Sequence, residues 1–256
     1  MPRQSQRVVL VALVTLTLVT ACGRELSPTD LAAASIAHLK GSKTAHVEVT
    51  GSIKLQGALS LAYEMIVTGD VSLPDNSRMT VRIPTLMPDR SIETIRIGDA
   101  GWARTTLDAT WSSDGSARSF STIVDLLRDL DPVLTSQIVE VDRPIVDGRK
   151  TRHLRYPARS TRMLDGLAQA AGLMTGVVVT SGSAADETGE LWIRIDDGQL
   201  VRQLVRLSLD FESAGHIGLF GGGSGVGKVT GELTMDMRLS HHGELIPRIT
   251  APPLKS

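Results

Sequence analysis

The chain has 256 residues, with 27 basic and 28 acidic side chains, a single cysteine, and aromatic residues making up only 3% of it. A near-neutral balance with no basic patch argues against nucleic acid as a partner. Scarce rings argue against stacking of sugars or bases, and one thiol leaves no pair for a disulfide.

The N-terminus has the three parts of a secretory signal. Arg3 and Arg7 give a positive start, and Val8 to Ala21 is uncharged and mostly Val, Leu, Ala and Thr. That run is shorter than the roughly 20 apolar residues a spanning helix needs. It ends in Val19-Thr20-Ala21-Cys22, the pattern of a bacterial lipobox. Small side chains there admit a peptidase, and the thiol is the nucleophile that accepts diacylglycerol. The competing reading is a buried free cysteine after an ordinary helix. The coincidence of charge, length, small residues and cysteine favours the anchor.

Residues 1–21 therefore read as a lipoprotein-type signal peptide, Cys22 as the lipidation site, 22–28 as a tether and 29–256 as one domain. Losing Arg3 and Arg7 leaves 25 basic residues against 28 acidic, a net charge of −3. Membrane contact then rests on the acyl chains, and two or more of these hold stably where one does not. The expected location is outside the cytoplasm, tethered to the cell membrane. A disulfide-free exported domain relies on its own core. About 230 residues suffice to bury roughly three-quarters of the unfolded surface.

After the tether, Thr29 to Lys40 predicts a helix with Ser27 or Thr29 as N-cap, Gly41 as its stop, and Ala32, Ile36 and Leu39 on one face. The period then changes to two. His46–Leu55, Leu59–Val71 and Arg78–Ile83 alternate apolar and polar residues. Ile92–Ile97 and Gly101–Thr106 flank the turn Gly98-Asp99-Ala100-Gly101. Such alternation marks an antiparallel sheet with one covered face. A helical block follows at Ser121–Leu130, with Leu127 on its apolar stripe and Asp131-Pro132 as its stop. Ile138–Val141 and Lys150–Tyr156 read as strands around the turn Asp147-Gly148. Ser160–Ala171 reads as a helix with Met163, Leu164, Leu167 and Ala171 on one side, and Gly172 to Gly189 as small and flexible apart from the apolar stretch Leu173–Val179. Glu190–Ile195 and Leu200–Phe211 form a hairpin through Asp196-Asp197-Gly198-Gln199, and Val229–Leu239 closes the chain. About nine antiparallel strands with helices before and among them give an α+β domain.

Gly222-Gly223-Ser224-Gly225-Val226-Gly227-Lys228 fits the first seven positions of a phosphate-binding loop. Val229 then stands where Ser or Thr should hold Mg²⁺, and a strand follows instead of a helix. His241-His242 point to opposite faces of an extended chain and lack metal-ligand spacing. Asp196-Asp197 are explained by turn chemistry. No coherent catalytic set emerges, so neither an enzyme, a cofactor nor a metal is expected. The covered strand faces carry Leu, Ile, Val and Met. Such a sheet closes on its helices as a dry core or stands off and leaves a cavity. Periodicity does not separate these cases, and on the residues alone the filled core is the simpler one.

The order of several short motifs resembles the LppX/LprG-type bacterial lipoproteins and, more distantly, the LolA/LolB-like lipoprotein carriers. The motifs are the lipobox and following helix, Ala45-His46-Val47-Glu48-Val49-Thr50-Gly51, Gly101-Trp102, Val146-Asp147-Gly148-Arg149-Lys150-Thr151-Arg152-His153-Leu154 and Gly189-Glu190-Leu191-Trp192-Ile193-Arg194-Ile195-Asp196. The resemblance implies a curved antiparallel sheet, a half-barrel, with helices on its concave face around an apolar cavity. It implies a lipid or acylated glycolipid as ligand, and an envelope transporter or acceptor protein as a possible partner. The expected cavity walls are Val47, Val49, Ile53, Leu61, Met65, Val81 and Ile83 on the sheet, with Leu127, Leu164 and Leu167 on the helices. The alternative is a surface interaction or sensor lipoprotein of the same fold whose core is filled.

Overall fold

In the computed structural model, residues 25–57, 61–85, 88–107, 110–113, 127, 130, 137–157, 178–214 and 227–253 are described, with the backbone alone for 61, 178–187, 209, 211–214 and 227. Among the described residues one helix, α1 (Pro28–Ser42), precedes eleven strands. These are β1 (Thr44–Gly57), β2 (Leu61–Ser72), β3 (Asn76–Arg82), β4 (Ser91–Ile97), β5 (Ala100–Thr105), β6 (Val139–Asp142), β7 (Ile145–Val146), β8 (Arg149–Pro157), β9 (Val178–Arg194), β10 (Leu200–Ala214) and β11 (Gly227–Ser240). They form one open antiparallel sheet in the order β5-β4-β3-β2-β1-β11-β10-β9-β8-β6, with β7 paired to β8.

Local chemistry explains where α1 begins and ends. Ser27 caps it, its Oγ accepting from the Asp30 amide at 3.2 Å, and Pro28 occupies the first turn, where a missing N–H costs nothing. Asp30 in the first turn and Lys40 in the last complement the helix dipole. The helix runs through Gly41, the expected stop, to Ser42, and Lys43 takes the left-handed cap at φ 64°. Ser42 Oγ donates to the His38 carbonyl at 2.9 Å, satisfying one of the end carbonyls that glycine would have left to water. Leu31, Ala32, Ser35, Ile36 and Leu39 are buried against the sheet.

Two hairpins follow the expected turns. Asp147 and Gly148 both have positive φ, 49° and 76°, as a two-residue turn between β7 and β8 requires. Gly198 at φ 71° turns β9 into β10. The largest departure is β9, whose backbone is a strand from Val178 onward, so residues 180–189, expected to be flexible, belong to a strand. That stretch is rich in Gly, Ser and Ala and has no apolar alternation. Its conformation comes from pairing along β10, from Ala214↔Val178 to Leu200↔Ile193, with three register shifts. Among the described residues eleven strands stand where about nine were expected. Of the helical block at Ser121–Leu130 only residues 127 and 130 are described, and Ser160–Ala171 lies outside the described residues.

The register places one residue type on one face. In β1, Ala45, Val47, Val49, Ile53 and Leu55 are buried, while Glu48, Thr50 and Lys54 point away. Gly189 sits opposite Tyr156 on that face, and a Cβ there would come within 2.1 Å of the Tyr156 ring. The glycine is the space the phenol occupies.

The far edge is tied to the start of the domain by ion pairs. Arg152, on β8 and nearly buried, donates to the Leu26 carbonyl at 2.7 Å and to Glu140 of β6 through Nε at 2.8 Å and through a second, shorter bond. Arg143 bridges Glu25 and Glu140, each at 2.6 Å. Burial pushes the Glu140 carboxyl up, but the hydrogen bonds and charges of Arg152 and Arg143 outweigh it and hold it below its ordinary value.

Two outcomes follow from these contacts. Gly189→Ala displaces the Tyr156 ring and is expected to lower stability by about 1–3 kcal/mol, read as a fall in the urea midpoint at unchanged m-value; an unchanged midpoint contradicts the packing described. A carboxyl whose folded pKa is depressed stabilises above its unfolded value, about 4.3, and that contribution disappears as pH falls through the folded value. Glu140→Gln is therefore expected to be less stable than the parent at pH 6, with the gap closing toward pH 3 in thermal melts. A gap that is constant with pH excludes the charge pair as its source.

Candidate functional site: the apolar face of the sheet

Cross-strand pairing links ten residues, one per strand, into a single row: Thr105, Ile92, Val81, Val67, Val49, Met237, Gln203, Leu191, Leu154 and Glu140. Directly paired residues share a face. Along this row the face is apolar from β4 to β8, with polar residues only at the two ends and at Gln203. A neighbouring row joins Tyr63, Ile53, Leu233 and Leu207, all buried.

Most of the expected wall residues lie on this face. Val47, Val49, Val81, Ile83 and Leu127 are at most 1% exposed, and Ile53 is 8% exposed. All belong to one buried cluster, against which Met65 packs in part. Leu61 is placed in β2 by its backbone, opposite Leu55. Leu164, Leu167 and Cys22 lie outside the described residues.

Sequence reasoning missed the centre of the face. Met237, Leu191, Leu154 and Tyr156 belong to it as fully as Val49 does. A bulge also changes the inward set of β10. Leu200 pairs with Ile193 and Arg202 with Trp192, so Val201 is an extra residue that changes the strand's parity. Leu200 and Gln203 thus face inward together, although a strict alternation separates them.

Gln203 and Tyr156 form a polar pair within this apolar surface. Gln203 Nε2 donates to Tyr156 Oη at 3.0 Å, and Gln203 Oε1 is buried with no partner among the described residues. Ser35 Oγ on the inward side of α1 is likewise buried and unpartnered. Burial pushes the Tyr156 and Tyr63 hydroxyls up to about 12. Both phenols are neutral donors at any physiological pH.

The opposite face holds the charges. The His153 ring lies between Asp142 Oδ1 at 2.8 Å and Glu190 Oε2 at 3.1 Å and stacks on Trp192 at 4.2 Å. Arg202 covers the Trp192 ring at 4.4 Å and forms a bidentate pair with Asp236 at 2.7 and 2.6 Å. Burial pushes the Glu190 carboxyl up, but hydrogen bonding from His153 and the charge of Arg206 hold it below its ordinary value. His46 pairs with Asp70 at 2.8 Å. Neither imidazole meets a hydroxyl or thiol among the described residues, so neither forms a nucleophile–base pair.

The remaining motifs have structural explanations. Hydrogen bonds from Arg194 and Arg149 hold Asp196 down to about 2, and Asp197 Oδ1 accepts from the Gln199 amide at 3.0 Å. These carboxylates shape a turn. His241 occupies the left-handed region at φ 53°, and burial pushes the half-buried His242 imidazole down. Among the described residues no group of three or more His, Cys, Asp or Glu is placed to hold a metal. Residues 221–226 of the glycine-rich loop lie outside the described residues, and Val229–Leu239 falls within β11 as a strand. A cavity of about 530 Å³ lies at the end of the sheet, lined by Arg149, Arg194, Gln199, His242 and Glu244 among others. None of the expected wall residues borders it.

No family model matches the chain, and no curated protein does. Solved structures do. The lipoprotein LppX of Mycobacterium tuberculosis is 17% identical with a TM-score of 0.47, the match covering 88% of this chain and 100% of that one. LprF of Mycobacterium bovis is 16% identical with a TM-score of 0.48, covering 88% and 96%. A LolA superfamily protein of Nitrosomonas europaea is 10% identical with a TM-score of 0.27, covering 84% and 94%. The solved structures similar to this chain thus include lipoproteins and LolA-superfamily proteins, the groups its short motifs resemble.

Proposed function

We propose that the chain is an exported lipoprotein, tethered through Cys22, that binds the acyl chains of a lipid or acylated glycolipid against the apolar face of its sheet. It works outside the cytoplasm, shielding those chains during transfer within or out of the envelope, with a transporter or acceptor protein as its exchange partner. The walls are Val47, Val49, Ile53, Leu61, Met65, Val81 and Ile83, with Leu127, Leu164 and Leu167 from the helical segments.

The extent of the apolar face carries this reading. Ten strands spaced about 4.8 Å apart span roughly 43 Å. A 15-residue helix is about 22 Å long and 10–12 Å wide. α1 packs chiefly on β1, β6, β9 and β10, so the inward residues of β2 and β3, such as Val67 and Val81, owe their burial to other parts of the chain. In this reading the segments around Leu127 and Leu164 share that cover with acyl chains. Each methylene removed from water contributes about 0.8 kcal/mol. Gln203, Tyr156 and Ser35 offer hydrogen bonds to a polar group at the end of the acyl chain, which an apolar wall alone does not.

A filled core is the competing reading, and the near-complete burial of Val49, Val67, Val81 and Leu127 favours it. Val67→Phe separates the two. A cavity accommodates the larger ring: the melting temperature is kept, and affinity for a fluorescent fatty acid falls at least fivefold. A filled core cannot accommodate it. The variant then loses about 1–3 kcal/mol of stability, and neither form takes up the probe.

A further inference from the structure

We infer that the corner of the sheet formed by β6, β7 and the start of β8 is a membrane-contacting surface, which rests against the bilayer that holds the Cys22 lipid. This rests on the lipoprotein reading and adds the face that the domain presents to its membrane.

The length of free tether is the first argument. The chain is clamped at Glu25 and Leu26, by Arg143 at 2.6 Å and Arg152 at 2.7 Å. Between Cys22 and Glu25 lie only Gly23 and Arg24. Three residue steps span at most about 11 Å even when fully extended. An acyl group on Cys22 sits at the level of the lipid glycerols, so the clamp lies within that distance of the same level. The domain does not swing on a long leash.

The chemistry of the clamped corner points the same way. Seven large apolar side chains are strongly exposed among the described residues, and four of them flank the clamp: Leu26 at 48%, Val141 at 42%, Ile145 at 69% and Ile195 at 47%. Val141 and Ile145 each stand two residues from Arg143. Ile145 pairs with Lys150, and the Ile195 amide donates to the Lys150 carbonyl at 3.1 Å, so the two isoleucines flank a lysine in one row. Exposed apolar side chains around a basic one match an interfacial surface, where the apolar groups enter the headgroup boundary and the cation meets lipid phosphates. A second protein is a poorer occupant, because the tether already brings lipid to this corner at high local concentration.

The test uses the full lipoprotein, with its lipid, in vesicles of phosphatidylethanolamine and phosphatidylglycerol. Acylated Cys22 has no free thiol, so Ile145→Cys, Ile195→Cys and, on the other sheet edge beyond β5, Leu107→Cys each accept one fluorophore. Headgroup spin-labelled lipid is expected to quench the labels at 145 and 195 at least threefold more than the label at 107. Adding Ile145→Asp to the 195-labelled protein should reduce its quenching at least twofold. Equal quenching at the three positions, with Cys22 shown by mass to be acylated, overturns the proposal while leaving the lipoprotein reading intact. An unmodified Cys22 overturns both.

Discussion

Cross-strand register is the constraint on which the rest depends. Because side chains alternate along a strand, a slip of one residue sends a whole apolar set to the opposite face. Val49 pairs with Val67 on one side and Met237 on the other, and this keeps the inward sets of β1, β2 and β11 aligned. The same register brings His153, Trp192 and Arg202 together on the other face. One arrangement therefore produces both an apolar surface and a layered polar one. The bulge at Val201 is the local adjustment that lets β10 serve both.

The two surfaces imply a division of labour. Aliphatic and methionine side chains on the inner face make few directional demands, which suits contact with acyl chains of varied length. On the outer face His153 stacks on Trp192, Arg202 pairs with Asp236, and the Glu190 carboxyl is held below its ordinary value. A carboxylate held down in this way stabilises its strand and is poorly suited to proton transfer near neutral pH. Charge pairing at the β6 and β8 edge has another consequence. Arg152 and Arg143 fasten the chain just after Cys22, linking the sheet mechanically to the proposed anchor.

Elements whose signal is local were legible in the sequence. The Ser27 cap, one of the two expected, the turn at Asp147-Gly148 and the alternation of β1 depend on neighbouring residues, and each lies where local chemistry puts it, the helix starting at Pro28, one residue before the expected Thr29. Elements whose conformation depends on a distant partner were not legible. Residues 178–189 have no pattern of their own and become a strand by pairing with β10. Gly41 looked like a stop because glycine commonly ends helices, yet the Ser42 side chain carries the helix one turn position further. The inward placement of Gln203 depends on a bulge that no short window reveals. The inward residues of the first three strands were readable because their period is regular. Leu191, Leu154 and Met237 are no less apolar, but only the strand order shows that they share that surface.

The central claim is that the apolar face holds acyl chains, and native mass spectrometry of the intact lipoprotein released from its membrane in mild detergent tests it most directly. The account predicts a population heavier than the acylated chain by the mass of one lipid, which organic extraction removes and recovers as an acylated molecule. A single mass equal to the acylated chain alone, unchanged after incubation with lipid extract, would contradict it.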